Sequence, residues 1–191
     1  MEKNKNDVKK EEVKLEGVNA AIEHGHITLK KDSNEIRRKL NPLLNVKIEG
    51  DKVIVESKRT TRKDKKIFGT TVAHIKNMIE GLNNGFTYRL QVASVHFPIT
   101  LAYDKSSNEI TVKNFLGEKK DRKIKLVNGV NVNIIKDVIE IKSFDIEKAG
   151  QSAANIEFGT KVRKKDRRIY QDGIFIIEKP GRIFKWQGHY F

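Results

Sequence analysis

The sequence contains no cysteine, which excludes disulfide bonds and thiolate zinc sites and indicates a reducing compartment. No apolar run approaches the roughly 18 residues that a membrane-spanning helix needs. Residues 1–10 also lack the apolar core of a signal peptide. We therefore expect a soluble cytoplasmic protein that does not enter a membrane.

Patterns of common catalytic and metal sites are also missing. The sequence has no nucleophile elbow, no phosphate-cradling glycine loop and no dinucleotide fingerprint. Its five histidines include no pair with the spacing of a helical metal site. His24 and His26 could hold a metal ion, but two histidines beside a predicted strand usually have no such role. We predict no catalytic residue, no metal, no cofactor and no small-molecule substrate.

Positive charge is what the sequence has in excess. It contains 39 Lys and Arg against 25 Asp and Glu, a formal net charge of +14. The densest cluster is residues 161–168, in which six of eight side chains are cationic. These are Lys161, Arg163, Lys164, Lys165, Arg167 and Arg168. Such crowding costs stability unless a polyanion neutralises it, and phosphate contacts are driven by counterion release.

Two further basic clusters lie at residues 58–66 and 119–125. A solvated charged surface is the alternative interpretation, above all for 119–125, where Glu118 and Asp121 dilute the charge. The aromatic and basic residues of the tail, 180–191, could stack on unpaired bases or pack against protein.

Hydrophobic alternation predicts a repeated α+β organisation. Residues 46–55 favour a hairpin with its turn at Gly50 and Asp51, and 3-4 spacing predicts a helix from about residue 67 to 84. Residues 51–57 align with 137–143, and a second helix is predicted over 146–160. We therefore predict two homologous modules from an internal duplication, each an antiparallel β-sheet with one packed α-helix.

The predicted boundaries are a flexible extension over 1–16, modules over 17–96 and 97–179, and a tail over 180–191. The rough core positions of the second helix are Ile146, Ala149, Ala153, Ile156 and Phe158.

Six motifs in order resemble large-subunit ribosomal protein six, in its archaeal and eukaryotic form. They are residues 69–81, 85–90, 96–98, 114–119, 150–157 and 166–176. The resemblance runs from about Gly17 to Lys179, and the Gln-Asp-Gly stretch at 171–173 leans archaeal. Residues 30–34 depart from the family's usual Lys-Gly-Pro-type turn, and the tail after Pro180 is not a general family feature.

The resemblance implies a structural protein of the large ribosomal subunit that binds its rRNA near the sarcin–ricin loop and stalk base. Translational GTPases would dock nearby, and neighbouring ribosomal proteins would be partners. The expected contacts of the C-terminal module are the six cations of 161–168 and Tyr170. From the family's helix motif come His74 and Asn77, for which helix packing is an equal alternative. From the cluster at 58–66 we add Arg59, Arg62, Lys63, Lys65 and Lys66.

Other functions stay open at this point. They are an architectural protein of duplex DNA or chromatin, an RNA-processing or RNA-modifying enzyme, and a self-associating sheet protein. Competition between A-form RNA and duplex DNA of equal length would distinguish an architectural DNA-binding protein from an rRNA-binding protein, because the two helices expose different grooves. The enzyme would need a pocket with perturbed acid and base groups.

Overall fold

The computed structural model describes residues 9–57 and 61–184. The chain divides into two compact units, Met1–Gly85 and Phe86–Phe191. The predicted boundary between residues 96 and 97 lies later. The difference arises because the strand Phe86–Ala93 pairs only with strands that follow it, and so belongs to the second unit.

Six strands and one helix make up the described part of the first unit. They are β1 (Lys10–Lys14), β2 (Asn19–Glu23), β3 (His26–Lys31), β4 (Asn34–Lys39), β5 (Leu44–Glu49), β6 (Lys52–Ser57) and α1 (Arg62–Asn84). One antiparallel sheet has the order β1-β6-β5, and a second has the order β2-β3-β4. The predicted hairpin is therefore confirmed as β5 and β6.

Strand β1 lies inside the segment predicted to be a flexible extension, so that prediction is wrong for residues 10–14. Its single apolar residue, Val13, is buried and pairs with Val53 in β6. Four charged residues surround this valine in sequence, so alternation gave no strand signal. Residues 1–8 lie outside the described part of the chain, and for them the extension stays a prediction.

Helix α1 begins earlier than predicted because a cap fixes its first turn. The Thr61 hydroxyl accepts a hydrogen bond from the Asp64 N–H at 3.3 Å and donates to the Asp64 carboxylate at 2.6 Å. This satisfies one of the N–H groups that a helix start leaves without a partner. The buried face repeats at three- and four-residue intervals through Phe68, Val72 and Ile75.

The described part of the second unit contains eight strands and one longer helix. They are β7 (Phe86–Ala93), β8 (Thr100–Asp104), β9 (Glu109–Lys113), β10 (Arg122–Lys125), β11 (Asn131–Ile135), β12 (Val138–Ser143), α2 (Ile146–Gly159), β13 (Gly173–Lys179) and β14 (Arg182–Ile183). A five-stranded sheet has the order β11-β12-β7-β13-β14, and a three-stranded sheet has the order β10-β9-β8. A short 3-10 turn, Phe115–Gly117, joins β9 to β10.

The two units repeat one succession of elements, which confirms the predicted fold class. Each has a strand, a three-stranded antiparallel meander, a hairpin and a helix, and the last hairpin strand pairs on both sides, with the first hairpin strand and with the first strand of the unit. These hairpin strands are β6 and β12, the two segments aligned from sequence. Val53 and Val55 are fully buried, as are their counterparts Ile139 and Ile141. Strands β13 and β14 extend only the second unit, with β13 paired to β7.

Small residues bring α2 close to both sheets of the second unit. Ala149, Ala153 and Ile156 are fully buried, as predicted, and Ile146 is partly buried. A side chain at Gly159 would place its Cβ 2.6 Å from Ile124 in β10, so α2 ends against this strand. Phe158 is 66% exposed, so its prediction as a core residue is wrong. It follows Ile156 by two positions, which on a helix turns it away from the buried face.

Candidate nucleic-acid interface

Residues 161–168, here called the basic loop, connect the end of α2 to the segment that precedes β13. All of its cations are exposed, and only Val162 is buried, with 7% of its surface exposed. Among the residues that the structure describes, the side chains of Lys161, Arg163, Lys164 and Arg167 have no acidic partner. The loop therefore presents uncompensated positive charge from a short stretch of chain.

The first residues of this connection are fixed to the core of the second unit. The buried Thr160 hydroxyl donates to the Ile156 carbonyl at 3.0 Å and accepts from the Ile174 N–H at 3.2 Å. One side chain thus joins the last turn of α2 to β13. Together with buried Val162, this contact holds the start of the basic loop against the unit that carries it.

Arg122 in β10 also holds the end of α2 and the start of the basic loop in place. Its guanidinium donates to the carbonyls of Gly159 at 3.0 Å and Lys161 at 3.3 Å, and it forms a bidentate pair with Glu118. Its guanidinium carbon lies 4.0 Å from the centroid of the Phe115 ring. The hydrogen bond from Arg122 lowers the pKa of Glu118, and the charge of Lys165 adds to that effect. The one arginine of the cluster 119–125 is therefore directed into the fold, at the carbonyl end of α2 where a cation is favourable.

Asp166 organises the second half of the basic loop. Its carbonyl accepts from the backbone N–H groups of Ile169 at 3.2 Å and Tyr170 at 2.9 Å. Its carboxylate accepts from the backbone N–H of Arg168 at 2.9 Å and pairs with the Arg168 guanidinium at 2.9 Å. These bonds, first the one from the Arg168 side chain, lower the pKa of Asp166. The acidic residue closes a turn and neutralises only Arg168.

Tyr170 lies between the basic loop and the core of the second unit. The Lys165 ammonium lies 4.4 Å from the centroid of its ring, and the His96 ring lies 5.1 Å away. The tyrosine is partly buried and packs against the core of the second unit. The structure therefore brings Tyr170 together with the basic loop, in a position that orients Lys165.

A buried carboxylate links the end of β7 to this region. Asp172 is 1% exposed and accepts from the backbone N–H groups of Val95 at 2.8 Å and His96 at 2.9 Å. Its other oxygen lies 2.6 Å from the Nδ1 atom of His96. Burial raises the pKa of Asp172, but the hydrogen bonds from His96 and Val95 outweigh it, so the net pKa lies below its ordinary value. Asp172 and Arg122 position the loop across long sequence separations, which no local pattern reveals.

The other predicted site residues lie in the first unit. Arg62, Lys63, Lys65 and Lys66 are all exposed in the first turns of α1, while Arg59 lies outside the described residues. Four cations at a helix N-terminus oppose the helix dipole, so an anion there would relieve an unfavourable arrangement. The half-buried His74 lies 2.8 Å from the Arg38 guanidinium through its Nε2 atom, and Asn77 is half-buried one turn further along α1.

Comparison with known proteins places the chain among ribosomal proteins. It is 36% identical over 176 residues to large ribosomal subunit protein uL6 of Methanococcus vannielii, which covers 91% of this chain and 96% of the relative. It is 38% identical over 172 residues to the uL6 protein of Sulfurisphaera tokodaii, covering 88% of this chain and 91% of the relative. The chain belongs to the ribosomal protein L6 family. The resemblance inferred from the six motifs is thus confirmed.

A sequence profile described as Ribosomal protein L6 matches residues 16–85. This stretch begins just after β1 and ends with the first unit, so the L6 profile covers one of the two repeated units. The two L6 relatives extend the similarity over the second unit as well, including the basic loop.

The described residues of this L6 family member contain no group of three or more His, Asp or Glu side chains placed to hold a metal ion. The His26 ring lies 3.2 Å from the carbonyl of His24, a local contact within the turn between β2 and β3. Neither α1 nor α2 is apolar enough to cross a membrane.

Proposed function

We propose that this chain is a structural constituent of the large ribosomal subunit that binds large-subunit rRNA and has no catalytic activity. The observation that carries the proposal is the basic loop. Four of its cations have no acidic partner within residues 9–57 and 61–184, yet the loop that presents them is fixed by Thr160, Arg122 and Asp166. Rigid, uncompensated cations favour a phosphate backbone, because little ordering is required when they bind.

Binding follows mainly from charge and shape. Arg163 and Arg167 each present a free planar fork that can hold a phosphate through two hydrogen bonds, whereas Lys161 and Lys164 act as point charges. Such contacts set the position of an RNA helix without reading its sequence. Arg168 contributes less net charge, since it is already paired with Asp166.

The start of α1 supplies a second rRNA contact in this proposal. Arg62, Lys63, Lys65 and Lys66 add their charge to the positive end of the helix dipole, an arrangement that favours phosphate. His74 and Asn77 lie further along the same helix, and the contact of His74 with Arg38 supports a packing function for that residue.

The site within the ribosome is the finer part of the proposal. On the family resemblance, we place the chain near the sarcin–ricin loop and stalk base, beside neighbouring ribosomal proteins and the docking position of translational GTPases. Chemical probing of rRNA in particles assembled with and without the chain tests this placement. Protection of the sarcin–ricin region is expected, and protection confined to distant helices would contradict it.

Paired charge removal tests the function of the basic loop. The variant Arg163→Gln with Arg167→Gln should bind a transcript of archaeal large-subunit rRNA more weakly. It should also reduce the slope of log affinity against log salt concentration by about two, because each lost phosphate contact removes about one. Filter binding or fluorescence anisotropy at several salt concentrations gives both quantities.

The matched control is Lys105→Gln with Lys136→Gln, which removes two exposed cations from turns of the same unit. An equal loss in both double variants would show that net charge alone drives binding and would contradict the assignment to the basic loop. Equal affinity for duplex DNA and A-form RNA would favour the architectural DNA-binding alternative instead.

A further inference from the structure

A groove lies between the end of α2 and the segment that leads into β13, beside the basic loop. It has a volume of about 470 Å³, and its walls include Phe158, Glu157, Lys161, Arg167, Arg168 and Tyr170. All of these residues belong to the second unit. An aromatic ring, a carboxylate and cations thus meet in one concave surface.

Phe158 is the unusual member of this group. Two-thirds of its surface is exposed, although it belongs to a helix whose other apolar residues are buried or partly buried. The thermodynamic drive to cover an aromatic ring is strong, since such a side chain buries a large apolar area. A ring left open beside uncompensated cations is suited to a partner that is both flat and anionic.

We propose that this groove receives one unstacked base of rRNA, whose ring stacks on Phe158 while the adjoining phosphates contact Arg167 and Lys161. The inference rests on the proposed rRNA-binding function and specifies how one nucleotide is bound. Protein recognition of unpaired RNA commonly combines such a stack with nearby cations. The volume is large enough for a base, and Lys161, Arg167 and Arg168 of the basic loop line the groove.

Glu157 supplies an acceptor at the same place. Its carboxylate has no hydrogen-bond or ion-pair partner within residues 9–57 and 61–184, and it lines the groove beside Phe158. A carboxylate accepts hydrogen bonds from the amino groups of bases, as in the pairing of Glu with cytosine N4. It would repel a phosphate, so the base and not the backbone is expected to enter the groove beside it.

Truncation of the ring separates this stack from the general charge attraction. Phe158→Ala should lower affinity for archaeal large-subunit rRNA by about fivefold to 150-fold, the range for the loss of one base–aromatic stack. The salt dependence should stay unchanged, because no cation is removed. The control is Phe144→Ala, which truncates another exposed phenylalanine just before the start of α2 and should leave affinity unchanged.

A ring-retaining variant gives a direct readout. Phe158→Trp is made together with Trp186→Phe, which removes the only native tryptophan. This variant should bind rRNA as tightly as the wild type, and its fluorescence should be quenched when the base stacks on the indole. Quenching by the rRNA transcript and none by duplex DNA at equal phosphate concentration would support the inference.

Unchanged affinity of Phe158→Ala, or an equal loss in Phe144→Ala, would overturn the inference while the salt-dependent binding of the basic loop remained. Failure of the wild-type chain to bind rRNA at all would overturn the proposed function, and the inference with it.

Discussion

Replacing Arg122 with lysine keeps the positive charge at this position of β10 but removes the guanidinium group. That group connects the end of α2, the start of the basic loop and residues 115–118. The wild-type guanidinium donates to the carbonyls of Gly159 and Lys161, pairs with Glu118 and stacks on Phe115. A lysine ammonium cannot reach all four groups in one geometry. The perturbation therefore tests whether the basic loop is held in place from β10.

The expected loss of stability follows from these contacts. A hydrogen bond from a charged donor contributes about 1.5–3 kcal/mol when it is well buried. The bonds from Arg122 to the two carbonyls are part-buried and exposed, so we assign about 1 kcal/mol to each. The stack on Phe115 adds about 0.5–1 kcal/mol. The pair with Glu118, whose side chain is 41% exposed, adds about 0–1 kcal/mol. Arg122→Lys should therefore lower the free energy of unfolding by about 2.5–4 kcal/mol.

Urea unfolding followed by circular dichroism measures this loss, and hydrogen exchange measured by mass spectrometry locates it. Faster exchange is expected over residues 159–174, which Arg122 and Thr160 hold together. The affinity for rRNA should fall without a change in salt dependence, since the number of cations is the same.

The neighbouring variant Lys123→Arg is the control for this experiment. Lys123 is exposed, so its replacement should change stability by no more than about 0.5 kcal/mol. A loss for Arg122→Lys of that same size, with unchanged exchange over 159–174, would refute the reasoning that Arg122 anchors the loop.

Two further substitutions test the support of the site. Asp172→Asn should lower the free energy of unfolding at pH 7 by about 1–3 kcal/mol, because one amide oxygen cannot replace two carboxylate oxygens that accept from Val95 and His96. The folded-state pKa of Asp172 is lowered, so its contribution is present above the ordinary aspartate pKa and is lost as pH falls through the folded value. Urea unfolding at pH 7 and pH 3 should therefore show a smaller loss on acidification in the variant, and an equal loss would contradict this account. Gly159→Ala should destabilise by about 1 kcal/mol through overlap with Ile124, and adding Ile124→Val should recover part of that loss. A Gly159→Ala variant more stable than wild type would show that Ile124 moves aside freely.

Local patterns predicted most of the fold because its strands and helices alternate or repeat with ordinary periods. The hairpin of β5 and β6 was visible in its turn residues, and the duplication was visible because β6 and β12 bury equivalent positions. Strand β1 was missed because it buries one valine among charged residues. Residues 10–14 form a strand because they pair with β6, and strand propensity does not report such a long-range interaction.

The sequence predicted the charged residues of the candidate site but not the contacts that hold them in place. The charges of the basic loop could be read directly, and the structure places them together on one connection. The helix start at Arg62 was missed although Thr61 and Asp64 have capping spacing, because residues 62–66 contain no apolar residue that would extend the 3-4 spacing. Arg122 and Asp172 could not be found from sequence, since their partners lie far along the chain. Phe158 was assigned to the core by hydrophobicity alone, which does not report the direction of a side chain.

The basic loop and strand β13 both follow the last element that the two units share. A chain leaving α2 must cross to the free edge of β7 before it can add β13 and β14 as the fourth and fifth strands of the sheet, and the basic loop is part of that crossing. Substitutions of the exposed cations there would leave the repeat and its hydrophobic interior intact, whereas Val162 belongs to that interior. The exposed positions of this segment can thus change independently of the scaffold, while pairing of β13 with β7 keeps its far end tethered.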